Sequence, residues 1–177
     1  MSAMDLPDTL VTTYLELRSR DAFHPAFVEP GQQDIVFQGL CEPDLAFYRF
    51  LYREVGEVWR WRDRLLLDDE TLRAEIASPN VRIDVLYVRG APAGYVECVN
   101  RAGDVEVAYM GLRAPYMGRG LGKHLLSQGV AKAWEAGATR VWLHTCNLDG
   151  PYALQNYQAR GFIIYHVKRE PMPDRYR

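Results

Sequence analysis

The sequence predicts a mixed α/β fold in which a central mixed β-sheet is flanked by helices, and three observations lead to it. Val105 to Leu112 is an apolar run interrupted by the single acid Glu106, the pattern of a strand covered on both faces inside a sheet. From Leu121 onward, Leu125, Leu126, Val130, Ala133 and Trp134 recur at helical spacing. Thr139 to Thr145 then reads as a second strand, and a strand, a helix and a strand in succession imply a parallel crossover.

The other elements follow in chain order. Thr9 to Arg18 is rich in β-formers and reads as a first strand. Ser19 to Leu40 carries Pro25, Pro30 and Gly31 and reads as a long loop, with a short strand at Ile35 to Gln38. Loops of that length are often functional, so part of a substrate pocket is expected there. Pro43 in a first turn opens a helix whose stripe runs through Leu45 or Ala46, Phe47, Phe50 and Leu51, and Gly56 ends it. In Glu57 to Leu67, Trp59 and Trp61 alternate with Arg60, Arg62 and Arg64. Two readings are open for this stretch: a flat, cation-lined pocket wall, or indoles packing a helix pair while the arginines stay in solvent. Asp68 or Asp69 caps a short helix through Ala77, which Ser78, Pro79 and Asn80 stop. Arg82 to Arg89 and Ala93 to Asn100 form a hairpin across Gly90, Ala91 and Pro92, and Arg101 to Asp104 turns into the strand at Val105. Pro115 ends that strand, and Gly137 closes the long helix. Cys146 to Pro151 turns the chain, Tyr152 to Arg160 is a short helix ending at Gly161, Phe162 to Glu170 is the last strand, and the tail is irregular.

With 177 residues and no linker or repeat, residues 1–177 form one domain. A net charge of -2 gives no reason to expect nucleic acid as a partner. The start of the chain has no basic and apolar leader and no stretch approaches a membrane span, so a cytoplasmic protein without membrane contact is expected. Cys41, Cys98 and Cys146 are odd in number and lack metal-type spacing, which predicts reduced thiols and no metal. His24, His124, His144 and His166 are scattered; His124 is near enough to the glycine turn to touch an anion and His144 to reach a cleft, but neither is given a role.

Between the central strand and the long helix, Gly118, Gly120 and Gly122 remove side chains where the backbone turns. A helix opening there presents unpaired N–H groups and a partial positive charge, a natural seat for phosphate. A P-loop is excluded, because Met117 and His124 stand where it needs glycine and Ser or Thr; a dinucleotide fingerprint fails because its third glycine is Lys123. The run Met117, Gly118, Arg119, Gly120, Leu121, Gly122 instead resembles the acyl-CoA pyrophosphate loop of the GNAT superfamily of N-acetyltransferases, which reads Gln or Arg, two residues, Gly, one residue, then Gly or Ala. Met117 departs from the first position. The segment ALQNYQARGF, Ala153 to Phe162, resembles that family's second hallmark and puts Tyr157 on its tyrosine; position 156 is Asn where Leu is usual, and Gly150 stands where an Asn is common, with Asn147 nearby.

The resemblance implies a GNAT-like fold and an acetyl-CoA-dependent N-acetyltransferase acting by direct attack of a primary amine, carried by a small molecule or peptide. Acetyl-CoA would be the acyl donor, held by Met117, Gly118, Arg119, Gly120, Leu121, Gly122 and Lys123, with backbone groups of Met110 and Leu112 on the pantetheine and Gly111 as the bulge-prone position. Tyr157 is implied as the acid that protonates the leaving thiolate. An alkylamine with a pKa of about 10 must first lose a proton, and Glu106 is the implied base, with Glu97 as a second acid that would serve instead or orient an ammonium, unless it simply faces solvent. The alternative is a non-catalytic acyl-CoA-binding regulatory module. A homodimer is common in the family, and a different acyl donor is compatible with the same loop.

Overall fold

Two tight turns set the register of the sheet. Arg89 and Gly90 lie at φ 52° and 82°, and Ala102 and Gly103 at 55° and 91°, so each pair forms a two-residue turn whose twist matches that of the flanking strands. In the computed structural model, which describes residues 6–29, 31 and 34–176, these turns join β3 (Val81–Val88), β4 (Ala91–Arg101) and β5 (Asp104–Leu112). The first turn is shorter than the sequence implies: Ala91 and Pro92 enter β4, and a register shift at Leu86/Tyr87 accommodates the proline. The readings of residues 1–5 and of Pro30 lie outside the described residues.

One sheet contains all seven strands found among the described residues, in the order β2-β3-β4-β5-β6-β1-β7. The short strand within the long loop, β2 (Ile35–Gly39), is the edge beside β3. The first strand, β1 (Thr9–Leu17), lies instead at the far side, antiparallel to both β6 (Arg140–Cys146) and β7 (Ile163–Pro171). Chain order alone would have put it next to the hairpin. Its apolar side decides otherwise, because Leu15 and Leu17 pack in one core with Val141 and Leu143.

Neighbours on β4 show the two layers. Val96 belongs to the core under α3 (Leu121–Glu135), whereas Tyr95 belongs to the core under α1 (Leu45–Gly56) and α2 (Asp69–Ile76). Leu121, Leu125, Leu126 and Val130 of α3 are fully buried, and Gly129 lets that helix approach β4, since a Cβ there would lie 3.0 Å from Val96. Helix α1 is capped by Asp44, which accepts from the Phe47 N–H at 2.9 Å, so Pro43 precedes the cap rather than occupying the first turn. Asp68 caps α2 in the same way through Thr71. At the other end of α3, Gly137 takes φ 85° as expected of a closing glycine. Helix α4 (Ala153–Ala159) leads through Gly161 into β7. No helix among the described residues is long and apolar enough to cross a membrane.

The segment after β1 straps the outer side of α3. The N–H of His24 donates to the Arg160 carbonyl, that of Ala26 to Ser127 Oγ at 2.9 Å and that of Val28 to His124 Nδ1 at 3.0 Å. His124 is therefore a buried acceptor for the strap. Burial lowers its pKa below the ordinary 6.5. The unfolded chain takes up this proton before the folded one, so stability is lost as pH falls below about 6.5 toward the lowered folded value. Denaturant titrations between about pH 7.5 and 5 should show the stability gap between the wild type and His124→Phe narrowing with acid; a constant gap would refute this role.

Under α1, the Glu97 carboxylate is 0% exposed, which overturns a solvent-facing alternation for this strand. It accepts from Tyr48 Oη and from Arg64 Nη2, each at 2.5 Å, and Arg64 also pairs with Glu75. Arg64 is thus buried as well, contrary to arginines left in solvent. Removing the guanidinium strands a charge in the core, so Arg64→Met should cost about 3–5 kcal/mol of stability in denaturant melts, with a clearly smaller loss in the double variant Arg64→Met/Glu97→Gln.

Candidate functional site

The site begins where the sheet comes apart. Strands β5 and β6 are parallel, yet their ladder joins only Asp104, Val105 and Glu106 to Arg140, Val141 and Trp142. Beyond these pairs the strands diverge. A bulge contributes to the divergence: Glu97 pairs with Tyr109 and Cys98 with Val107, which leaves Ala108 as the extra residue of β5. The bulge is at Ala108 and not at Gly111, whose missing side chain instead makes room for Val55.

A cavity of about 620 Å³ fills the gap and continues toward the α1 side of the sheet. Met110, Leu112, Met117, Gly118, Gly120, Gly122 and Lys123 line it, so the sequence-derived loop and strand residues do converge on one space. Gly118 and Gly120 adopt φ 73° and 74°, a conformation that costs a side-chain-bearing residue about 1–2 kcal/mol. Gly120 is the N-cap of α3 and supplies no side-chain cap. The first N–H groups of α3 therefore open toward the loop with the positive end of the helix dipole, a seat that suits the pyrophosphate of an acyl-CoA. Two residues of the proposed cradle sit elsewhere. The Leu121 side chain is wholly in the core, leaving only its backbone to contribute, and the Arg119 guanidinium lies 5.5 Å over the Tyr116 ring.

Tyr157 lines the opposite wall from α4 and is only 8% exposed. Burial, reinforced by Asp149 and Cys146, raises its phenol well above the ordinary 10, so it is a protonated donor at neutral pH. Cys146 also lines the cavity, but burial pushes its thiol up to about 11. It is thus protonated and poorly nucleophilic. Asp149 accepts from Thr145 Oγ1 at 2.6 Å and from the Cys146 N–H at 2.9 Å, fixing the turn that follows β6.

Glu106 is at the root of the gap and does not line the cavity; Arg101 Nη1 donates to its Oε2 at 3.1 Å. His144 does line the cavity, from β6, and its Nε2 is 3.9 Å from Glu106 Oε1. Glu97 lies behind the wall and is committed to Arg64 and Tyr48.

Several lining residues carried no readable sequence signal. Tyr52 of α1, Tyr109 of β5 and Tyr176 of the tail join Trp59 and Trp61 on the α1 side. The tail is held there by Arg60, which donates to the Tyr176 carbonyl at 3.0 Å, and by Arg175 beside Asp63 at 3.4 Å. The tryptophan stretch is therefore a pocket wall, but an aromatic one rather than a cation-lined one. No described residue of Ser19 to Leu40 lines the cavity, because that loop is spent on strapping α3.

Comparison with known proteins places this geometry. The profile of the Acetyltransferase (GNAT) family matches residues 46–162, from α1 to the turn between α4 and β7. No curated protein sequence matches. Among solved structures, a GCN5-related N-acetyltransferase from Sphaerobacter thermophilus superimposes with a TM-score of 0.66 at 19% identity, over 93% of this chain and 52% of that one. An aminoglycoside acetyltransferase from an uncultured soil metagenomic sample gives 0.60 at 19% identity, over 72% of this chain and 87% of the other. A functionally unknown conserved protein from Staphylococcus epidermidis gives 0.58 at 15% identity, over 91% and 60%. These likenesses are of fold, and the chain spans little more than half the length of the Sphaerobacter and Staphylococcus proteins.

Proposed function

The chain belongs to the Acetyltransferase (GNAT) family, and from that premise we propose that it transfers the acetyl group of acetyl-CoA to a primary amine by direct attack. The observation that supports this reading most is the coincidence of the parted β5–β6 ladder with the uncapped, glycine-lined start of α3 in one cavity. Backbone groups of Met110 and Leu112 in the gap are free to bond pantetheine amides in place of a neighbouring strand, while Gly118 to Lys123 hold the pyrophosphate. Acetyl-CoA supplies an activated thioester: the acceptor nitrogen forms the C–N bond as the C–S bond breaks.

Two proton transfers then fall to this chain. The ammonium of the acceptor must lose a proton, and we assign that step to His144, the imidazole in the cavity wall, with the Glu106 carboxylate 3.9 Å behind it to balance the charge the ring takes on. Glu106, the base implied by sequence, thereby acts through His144. Tyr157, protonated at neutral pH, gives its proton to the departing thiolate.

Calorimetric titration tests the reading at its base. The wild type should bind CoA and acetyl-CoA saturably, and Gly120→Glu should weaken both more than about tenfold by placing an anion at the helix start. With any amine that supports thiol release, His144→Ala and Tyr157→Phe should each lower kcat by about 10²-fold or more while leaving the acetyl-CoA Kd within about twofold. Binding without turnover in the wild type would favour the acyl-CoA-binding module, and no binding would remove both readings.

A further inference from the structure

Resting on the acetyl-transfer reading above, we propose that the acceptor is a monoamine carried on a flat aromatic body, bound in the aromatic arm of the cavity with Asp63 at its mouth. The arm is built from Tyr52, Trp59, Trp61, Tyr109 and Tyr176, five rings from four separate stretches of the chain. Three of them are mutually packed: Tyr52 and Trp61 centroids are 5.5 Å apart, Tyr52 and Tyr109 5.2 Å, and Trp61 and Tyr109 5.3 Å. Such spacing locks the rings in edge and tilted contacts; Tyr52, only 1% exposed, backs the group, and Trp61 and Tyr109 present a rigid wall.

The two indoles have dedicated seats. A Cβ at Gly56 would collide with the Trp61 ring, and a Cβ at Gly150 would lie 3.2 Å from Trp59 Cη2. Trp59 therefore reaches from the α1 side across the cavity to the turn after β6. Its indole bounds the arm on that side.

Charge narrows the class further. Among the described residues, Asp63 and Asp149 are the carboxylates that line the cavity; Asp149 takes the Thr145 hydroxyl and the Cys146 N–H on Oδ2 in the turn after β6, which leaves Asp63 as the carboxylate beside the aromatic arm. Asp63 is anchored by Arg175 at 3.4 Å with its side chain 54% exposed. One carboxylate and several π faces suit a single ammonium next to a ring. A polyamine or a polyhydroxylated aminoglycoside would leave several charged or hydroxyl groups against aromatic carbon without partners, a costly desolvation. The Tyr109 phenol, raised chiefly by burial, stays neutral and offers a hydrogen-bonding and π surface and not an anion, while Tyr52, raised chiefly by burial to about 12, is neutral behind it.

Thiol release from acetyl-CoA, measured with phenethylamine, spermidine and an aminoglycoside, tests the proposal alongside quenching of indole fluorescence by phenethylamine alone. Phenethylamine should give a kcat/KM at least about tenfold above the other two, and Trp59→Ala and Asp63→Asn should each lower it about tenfold with acetyl-CoA affinity within about twofold. Asp63 is on the surface, so its variant reports on the arm even if Trp59→Ala folds poorly. Preference for spermidine or the aminoglycoside, unchanged variants, or acetyl-CoA binding with neither turnover nor quenching by phenethylamine would overturn the aromatic acceptor and leave acetyl transfer standing. Loss of acetyl-CoA binding in the wild type would remove the acetyl-transfer reading, while quenching would still decide whether the arm takes an aromatic amine.

Discussion

Three residue pairs between β5 and β6 are the hinge on which the site depends. Asp104, Val105 and Glu106 face Arg140, Val141 and Trp142 in the only parallel register among the described residues. This root is clamped by charge. Arg140 Nη1 bonds both Asp104 oxygens at 3.2 and 3.3 Å, and its Nε reaches Glu16 Oε2 on β1 at 2.6 Å. Arg18 holds the other Glu16 oxygen, and although burial acts to raise its pKa, these two guanidinium groups keep the Glu16 carboxyl below the usual range. Three strands are thus tied at one end, so the bulge at Ala108 can separate β5 from β6 at the other without splitting the sheet. Backbone groups left unpaired by that separation need a partner.

Glycine placement connects the hinge to the rest of the cavity. Gly118 and Gly120 bring bare backbone to the start of α3, whereas Gly56, Gly111 and Gly150 admit large side chains on the α1 side. Gly150 shows how a departure from the family pattern is absorbed. The asparagine common at that position is missing, and the Trp59 indole occupies the space in front of the glycine. Polar contact in the turn is supplied instead by Asp149 through Thr145 and the Cys146 N–H.

Glu97 and Glu106 are both kept out of the cavity by arginine partners. Glu97 is consumed by Arg64 and Tyr48, and Arg64 stacks 5.3 Å over the Tyr109 ring from behind. This backing holds Tyr109 in place while its other contacts, to Tyr52 and Trp61, form the wall. Glu106 is held by Arg101 and faces the cavity only by way of His144.

Periodicity and turn chemistry made most of the elements legible: β5, α3, the hairpin strands, α4 and the glycine loop all lie within a few residues of where the sequence puts them, because apolar spacing and positive-φ turns are local properties. Met110, Leu112, Met117, Gly118, Gly120, Gly122, Lys123 and Tyr157 could be assembled for the same reason, each lying in a contiguous motif. Relations between distant segments were not legible. That β1 lies between β6 and β7 depends on Leu15 and Leu17 finding Val141 and Leu143; that Glu97 is buried depends on Arg64 from a turn 33 residues away; that Tyr176 lines the cavity depends on Arg60. The sequence by itself determined the strand-loop-helix cradle, since a helix start and glycine torsions are fixed by neighbouring residues. Only the tertiary structure decided which carboxylate is spent, which histidine reaches the cavity and which rings wall it, since burial and charge pairing are set by contacts that no spacing along the chain encodes.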